Sequence, residues 1–279
     1  MAKVKGLMMD VEDARKKINK NTAAIVPVHY AGLVANIEEF QKISLEYDVD
    51  IIEDAAQAFG VQINKKFCGS FGRFGCFSFH ETKNLHSGLS GAIVCNNEKD
   101  FERAKCIWER GTNRQNALKG LVDKYSWVEI GGSFYPSELQ AAFLSSQLEF
   151  FYENISKRKI IYNCYYKGLV KLKNKNLLYF PDIPDNVSSN YHAVYIILKS
   201  EEECDNIRVY LKKNNINAFI GYVPLHTSKV GLKISPSKNN LSITEKISSR
   251  ILRLPFHNNL SGSDIKLITR KINDIIKGK

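Results

Sequence analysis

Short apolar runs separated by amphipathic segments organise the first half of the chain. Asp10 suits an N-cap for a helix from Val11 to Ile18, with Glu12 and Asp13 in its first turn. Ala23 to Val28 is a β-rich run ending at Pro27-Val28-His29. From Asn36 to Glu46, apolar residues recur at Ile37, Phe40, Ile43 and Leu45, close to a helical period. The run Val49-Asp50-Ile51-Ile52 then closes on Glu53 and Asp54 as a strand. This β-α-β order predicts parallel strands joined by right-handed crossovers. Further strands are predicted at 75–79 and 91–95, and a helix from Lys99 to Arg110. Pro136-Ser137-Glu138 reads as a helix start whose pattern continues through Leu148 towards Tyr166.

The pattern changes beyond residues 150–170. Val194 to Leu198 is strand-like, Glu202 to Lys213 helical, and another strand is predicted near Ala218. Helices are predicted at about 242–251 and 262–277, and Pro181 to Asn186 reads as a loop. The expected division is a large domain over 1–150 and a small α+β domain over 151–279.

Composition narrows the class. Among 279 residues, 44% are hydrophobic and 25% charged, which suits a folded core and argues against disorder. No apolar stretch approaches ~18 residues, so no membrane insertion is expected. The short basic start lacks an apolar core for a signal peptide, and a cytoplasmic protein is expected. The six cysteines form no Cys-x-x-Cys pair, which points to free, buried thiols and no metal site. The net charge of +11 invites a nucleic-acid reading. Its lysines are spread along the whole chain without a recognition motif, however, so no nucleic-acid partner is expected.

Candidate chemistry lies at two strand ends. Asp54 ends the run 49–53, and Lys83 follows Phe77-Ser78-Phe79-His80-Glu81-Thr82 beyond the next strand. Open α/β sheets gather ligands outside the carboxyl ends of their strands. A carboxylate there can keep a pyridine nitrogen protonated, and a lysine can form a Schiff base, the two needs of pyridoxal 5′-phosphate (PLP) chemistry. Taken singly, Asp54 also suits a helix N-cap, Lys83 a surface charge near pKa ~10.4, and Ser78 a structural serine.

Residue identities add a resemblance. Pro27-Val28-His29-Tyr30-Ala31-Gly32, Glu53-Asp54-Ala55-Ala56-Gln57, Phe77 to Asn84, Gln140-Ala141-Ala142, Tyr222-Val223-Pro224-Leu225-His226 and Arg253-Leu254-Pro255 occur in that order. Together they resemble the nucleotide-sugar aminotransferases of the DegT/StrS type. Within that group they are most similar to the enzymes that aminate C4 of a dTDP-4-keto-6-deoxyhexose, as dTDP-4-amino-4,6-dideoxygalactose transaminase does. The resemblance implies an α/β, fold-type-I PLP-dependent transferase like aspartate aminotransferase. Its large domain would have a mostly parallel sheet, followed by a small α+β domain. It also implies L-glutamate as amino donor, a dTDP-sugar acceptor, a homodimer, and a product used for surface polysaccharide or lipopolysaccharide.

The resemblance gives each position a role. Lys83 would bind the cofactor covalently and shuttle protons, and Asp54 would pair with the ring nitrogen. Gln57 would hydrogen-bond the ring hydroxyl, Ser78 would contact the phosphate, and Ala56 would leave room for the ring. His29, Tyr30, His192, Tyr222 and His226 would line the sugar-nucleotide pocket, with core packing as the alternative for each. His80 stands beside the site, but because related dehydratases replace the lysine with histidine, the retained Lys83 favours amino transfer. The chain departs from the family in three places. It starts inside the cofactor domain, which implies a truncated large domain without one phosphate-binding helix end and one stacking aromatic ring. Gly88-Leu89-Ser90-Gly91 replaces a Gly-Glu-Gly-Gly run, and Ser133 stands where many members have asparagine. The competing reading is a catalytically impaired, truncated or split-gene remnant of such an aminotransferase that needs a separate N-terminal half.

Overall fold

The computed structural model describes residues 7–234 and 241–278. In chain order its elements are α1 (Val11–Lys17), β1 (Ala24–Ile25), α2 (Ile37–Tyr47), β2 (Asp50–Asp54), β3 (Gln62–Ile63), β4 (Lys66–Phe67), β5 (Phe74–Ser78) and β6 (Gly91–Cys95). Then come α3 (Glu98–Trp108), α4 (Arg114–Leu118), α5 (Glu138–Glu149), α6 (Phe151–Asn174), β7 (Val187–Ser188), β8 (Tyr195–Ile197), α7 (Glu201–Lys213) and β9 (Phe219–Ile220). The chain closes with α8 (Lys229–Ile234), α9 (Ser242–Ser248), β10 (Ile251–Arg253) and α10 (Gly262–Ile276). The described residues form two compact units. The first holds Leu7–Glu153 and Ile183–His192, and the second holds Asn154–Asp182 with the segment from Ala193 onward.

The first unit is built on a mixed four-stranded sheet in the order β1-β2-β5-β6. Strands β1, β2 and β5 run parallel and β6 antiparallel. The return of β6 has a local cause, because residues 79–90 contain no crossover helix. They instead extend the β5–β6 hairpin, with Phe79 N–H donating to Ser90 O and Glu81 N–H to Gly88 O. Helix α2 buries Ile37, Phe40 and Ile43 among Ile25, Val49 and Ile51. Leu45, which the helical period placed on that face, is 87% exposed. Positions 37, 40 and 43 advance by about one helical turn each, and 45 falls between those rows.

The second unit has a separate sheet, β8-β10-β9, antiparallel throughout. All three residues of β8 are buried, and Leu252 of β10 is fully buried. Helix α10 turns Ile265, Ile268, Thr269 and Ile272 inward at helical spacing, and Ser261 with Asp264 closes its start in a capping box. Gly168 of α6 allows a close approach to α10, since a Cβ there would lie 2.7 Å from Thr269. Asn273 Nδ2 uses that proximity to donate to Gly168 O at 3.0 Å. The helix predicted over 242–251 stops at Ser248, and Ile251–Arg253 is the central strand of this sheet. The long helix predicted from Pro136 is likewise two helices, divided at Phe150.

All six cysteines are free. Only Cys68 and Cys204 are buried, and the other four are half-buried. Burial pushes the Cys68 thiol up to about 12 and that of Cys204 up to about 11, which leaves neither a nucleophile near neutral pH.

Candidate active site

Three chain segments leave the sheet at the carboxyl edge of its parallel strands. Val28 bridges Asp54 in parallel, His29 N–H donates to Asp54 O, and Ala55 N–H donates to Cys76 O. Because Asp54 pairs with Cys76, the end of β2 lies beside the end of β5, two residues before Ser78. The turns after β1, β2 and β5 therefore share one edge, the place where open α/β sheets bind ligands.

The groups at that edge have complementary chemistry. Asp54 Oδ1 accepts from Ala56 N–H at 3.0 Å, while Oδ2 takes no hydrogen bond among the described residues. Gln57 Oε1 accepts from Ala31 N–H at 2.8 Å, leaving Nε2 as a donor. Ser78 Oγ accepts the His80 amide at 3.3 Å and retains its own proton to donate. Lys83 is half-buried at the tip of the β5–β6 hairpin, its N–H donating to His80 O at 2.9 Å. Its ammonium has no ion pair among the described residues. A carboxylate with an open oxygen, an amide donor, a hydroxyl donor and an uncommitted amine make a donor set that fits PLP.

Helix α5 supports the return arm of this hairpin. Gln140 Nε2 donates to Leu89 O at 3.0 Å, and Gln147 Oε1 accepts from His86 N–H at 3.3 Å. Between loop and helix lies a cleft of about 440 Å³ lined by Glu81, His86, Leu139, Gln140 and Phe143.

The structure corrects the expected role of His29. Its side chain is fully buried, and both ring nitrogens are engaged within the protein. Nδ1 accepts from Ala35 N–H at 3.1 Å, so it carries no proton. Nε2–H donates to Glu53 Oε2 at 3.0 Å. No face remains for a sugar, so His29 is a structural post beneath the edge. Its partner Glu53 is also fully buried and accepts from Gly69 N–H at 2.7 Å, Phe71 N–H at 2.6 Å and Gly72 N–H at 2.8 Å. Burial pushes the Glu53 carboxyl up. The bonds from His29 and the amides of Gly72, Gly69 and Phe71 together outweigh it, leaving the carboxyl below the ordinary glutamate value.

The remaining expected residues divide between the two units. Tyr30 opens the turn Tyr30-Ala31-Gly32-Leu33 in the first unit, where its carbonyl accepts from Leu33 N–H at 2.9 Å. His192, in the same unit, donates from Nδ1 to Asn84 Oδ1 at 3.0 Å, one residue beyond Lys83. Tyr222 and His226 belong to the second unit. There Tyr222 lies 4.7 Å beneath the Arg253 guanidinium, and His226 Nε2 meets Glu245 Oε1 at 2.9 Å. Sequence reasoning passed over Glu53, Asn84 and Asn190. The alternation of β2 could have singled out Glu53, since an even offset from buried Ile51 points it inward.

Gly32 offers a test of the turn that aims Ala31 N–H at Gln57. Its φ is +84°, and a Cβ there would lie 2.6 Å from Asn190 Oδ1 and 2.8 Å from Ser189 Oγ. Gly32→Ala is expected to destabilise the protein by about 2 kcal/mol through strain and clash, read as a lower urea midpoint. An unchanged midpoint would show that the turn yields freely.

Comparison with known proteins identifies the family. Residues 2–273 match the DegT/DnrJ/EryC1/StrS aminotransferase family. The chain is 28% identical over 273 residues to GDP-perosamine synthase of Escherichia coli O157:H7, spanning 97% of this chain and 70% of that protein. It is 28% identical over 276 residues to UDP-N-acetyl-3-dehydro-alpha-D-glucosamine 3-aminotransferase of Acidithiobacillus ferrooxidans, spanning 97% and 69%. Among solved structures, a DegT DnrJ EryC1 StrS aminotransferase from Brucella abortus superposes with a TM-score of 0.84 at 28% identity, covering 98% of this chain and 71% of that one. The fold and the donor set define a PLP-dependent aminotransferase. The chain belongs to the DegT/DnrJ/EryC1/StrS family. These coverages do not establish the truncated domain expected from the sequence.

Proposed function

We propose that the chain moves an amino group from L-glutamate to the C4 ketone of a dTDP-4-keto-6-deoxyhexose, releasing 2-oxoglutarate. The reading is carried by the placement of Asp54, Gln57 and Ser78 at the ends of two adjacent parallel strands, with Lys83 on the hairpin that follows Ser78. Two relatives bear names that place them on nucleotide-linked sugars, which favours that substrate class. The choice of C4 and dTDP rests on the motif resemblance alone.

Bound at this edge, PLP supplies an electron sink and a carbonyl that accepts and returns nitrogen. Lys83 would hold the cofactor through its amine, then carry the proton to and from the reacting carbon. Asp54 would hold a proton on the ring nitrogen through its open oxygen. Gln57 would orient the ring through its amide donor, and Ser78 would donate to the phosphate. Ala56 offers no side chain to obstruct the ring. Tyr30 and His192 are proposed to line the sugar side, with Tyr222 and His226 as further substrate contacts. A homodimer, a cytoplasmic location and a product destined for surface polysaccharide or lipopolysaccharide complete the proposal. Among the described residues, no helix is long and apolar enough to cross a membrane.

The test is a panel of keto sugars linked to dTDP, GDP and UDP, each supplied with PLP and glutamate, with products weighed by mass spectrometry. Amination of the dTDP-4-keto sugar is expected to exceed the others by at least about tenfold in kcat/KM. Preference for another nucleotide, or for C3, would overturn the assigned specificity.

A second reading is that activity requires a partner polypeptide that covers exposed apolar surface of this chain. Apolar surface favours it: Ile93 is 55% exposed, Trp127 75% and Ile130 85%, and helices α3 and α5 bury none of their residues. On this reading the purified chain aminates nothing, and co-expression with the partner restores turnover.

A further inference from the structure

The segment Ser189-Asn190-Tyr191-His192 crosses all three turns of the site. Ser189 Oγ donates to Gly32 O at 2.7 Å and accepts from Tyr191 N–H at 2.9 Å. Asn190 is 2% exposed, and its Nδ2 donates to both Gln57 O and Phe59 O at 3.1 Å. Two carbonyl acceptors fix the orientation of that amide, because the flipped form would set oxygen against oxygen. Oδ1 therefore faces Gly32, where it is buried without a partner. On its main-chain side, Asn190 O accepts from Asn84 Nδ2 at 2.8 Å. Asn84 Oδ1 in turn holds His192 Nδ1. The segment is anchored upstream by β7, which pairs with β3 through Ile63↔Val187 and Gln62↔Ser188.

We propose that Asn190 and Asn84 are a positioning pair that sets the Lys83 turn against the Asp54–Gln57 turn. The proposal rests on the aminotransferase reading of this edge. Lys83 stands at a hairpin tip whose return arm is held by the β5–β6 ladder and by α5 through Gln140 and Gln147, neither of which reaches the Asp54–Gln57 turn. The Asp54–Gln57 turn belongs to a different strand end. Asn84 is the residue next to Lys83, and its side chain carries the only direct link from that tip to Asn190 among the described hydrogen bonds. Asn190 passes the link on to the residue whose side chain would orient the cofactor. The two links act in series, so cutting either releases the same restraint. Neither residue need touch the reacting atoms.

The experiment uses the full chain and two readouts. Hydrogen exchange by mass spectrometry follows peptides over 29–35, 54–60 and 80–87 without cofactor. Graded PLP followed by borohydride reduction gives the label on the Lys83 peptide and its half-saturation. Asn84→Ala and Asn190→Ala are each expected to speed exchange in both the 54–60 and 80–87 peptides. Each variant removes two hydrogen bonds of the tie and is expected to raise half-saturating PLP by at least about tenfold. The double variant should be no worse than the weaker single, because linked residues are non-additive. Asn190→Asp keeps the shape but removes the donor, and should behave like Asn190→Ala. Ile272→Val, a mild core truncation in the second unit, controls for general loosening and should leave both readouts at the wild-type level.

Exchange that changes only in the mutated peptide, additive effects in the double variant, or a wild-type half-saturation in Asn190→Asp would each overturn the positioning role. A wild-type chain that takes no label on Lys83 at any PLP concentration would overturn the aminotransferase reading, and the role with it. The exchange data would still separate that failure from an absent tie.

Discussion

Lys83→Ala is expected to abolish the borohydride-trapped cofactor label and to lower amino transfer by at least ~10⁴-fold, since one residue supplies both the covalent amine and the proton shuttle. The structure places Lys83 five residues past Ser78 at a half-buried hairpin tip, with no competing ion pair among the described residues. Lys83→Arg sharpens the result. It keeps a positive charge, but guanidinium does not deprotonate to serve as a nucleophile. If the site needed only charge to attract an anionic substrate, Arg would recover much of the turnover. If it needs the amine, Arg and Ala will be equally inactive and equally unlabelled. A label that persists in Lys83→Ala on another lysine, such as Lys65 or Lys66, would place the chemistry elsewhere. His80 is no substitute, because an imidazole has no primary amine with which to form a Schiff base. The measurement is peptide mapping of the reduced adduct beside steady-state rates with glutamate.

The edge itself was legible because its pieces are local. Asp54 closes an apolar run and Lys83 follows another; the β-α-β order fixes β1 parallel to β2, and β5 joins the same direction through residues 55–73, which hold β3 and β4 but no helix. What was not legible depends on contacts distant in sequence. His29 reads as a pocket residue because it follows a strand. Only Ala35 N–H and the Glu53 carboxylate, brought to its two ring nitrogens by folding, reveal a buried post. Asn190 is 133 residues from Gln57 and 106 from Asn84, so no local pattern announces their meeting.

Secondary structure failed where tertiary pairing overrode propensity. Ile251 to Arg253 follows a helical pattern directly, but two strands, β8 and β9, wait on either side of it. The continuous helix expected from Pro136 breaks at Phe150, where the amide of Phe150 closes a tighter bond to Gln147 O. Strand β6 was located correctly, and the sheet is mostly parallel as expected, with β6 its one antiparallel strand among the described residues. Its direction follows from the hairpin formed by residues 79–90, and that same reversal is what lifts Lys83 clear of the sheet.

Removing the Glu53 carboxylate is expected to be the most destabilising single change at the edge. Glu53→Ala would leave four donors without their acceptor: the buried His29 Nε2 and Gly69 amide, and the half-buried amides of Phe71 and Gly72. Loss of one partner from a buried charged network costs about 3–5 kcal/mol, which lowers Tm by roughly 10 °C in a chain of this size. Glu53→Gln should fall between Ala and wild type, because one oxygen remains to accept while its new amide meets donors. The pH dependence follows from the depressed carboxyl. A group whose folded pKa lies below its unfolded value of ~4.3 stabilises fully above that value, and its contribution is lost as pH falls through the folded pKa. Wild type should therefore shed this stability only below about pH 4, whereas Glu53→Ala lacks it at every pH. The Tm difference between the two proteins should be constant from pH 8 to about pH 5 and narrow on further acidification. His29→Ala should show a smaller loss, since the three amides continue to hold the carboxylate. A Glu53→Ala protein that melts with wild type at pH 7 would mean that the turn at 69–72 finds other acceptors. The edge would then hold its shape without this post.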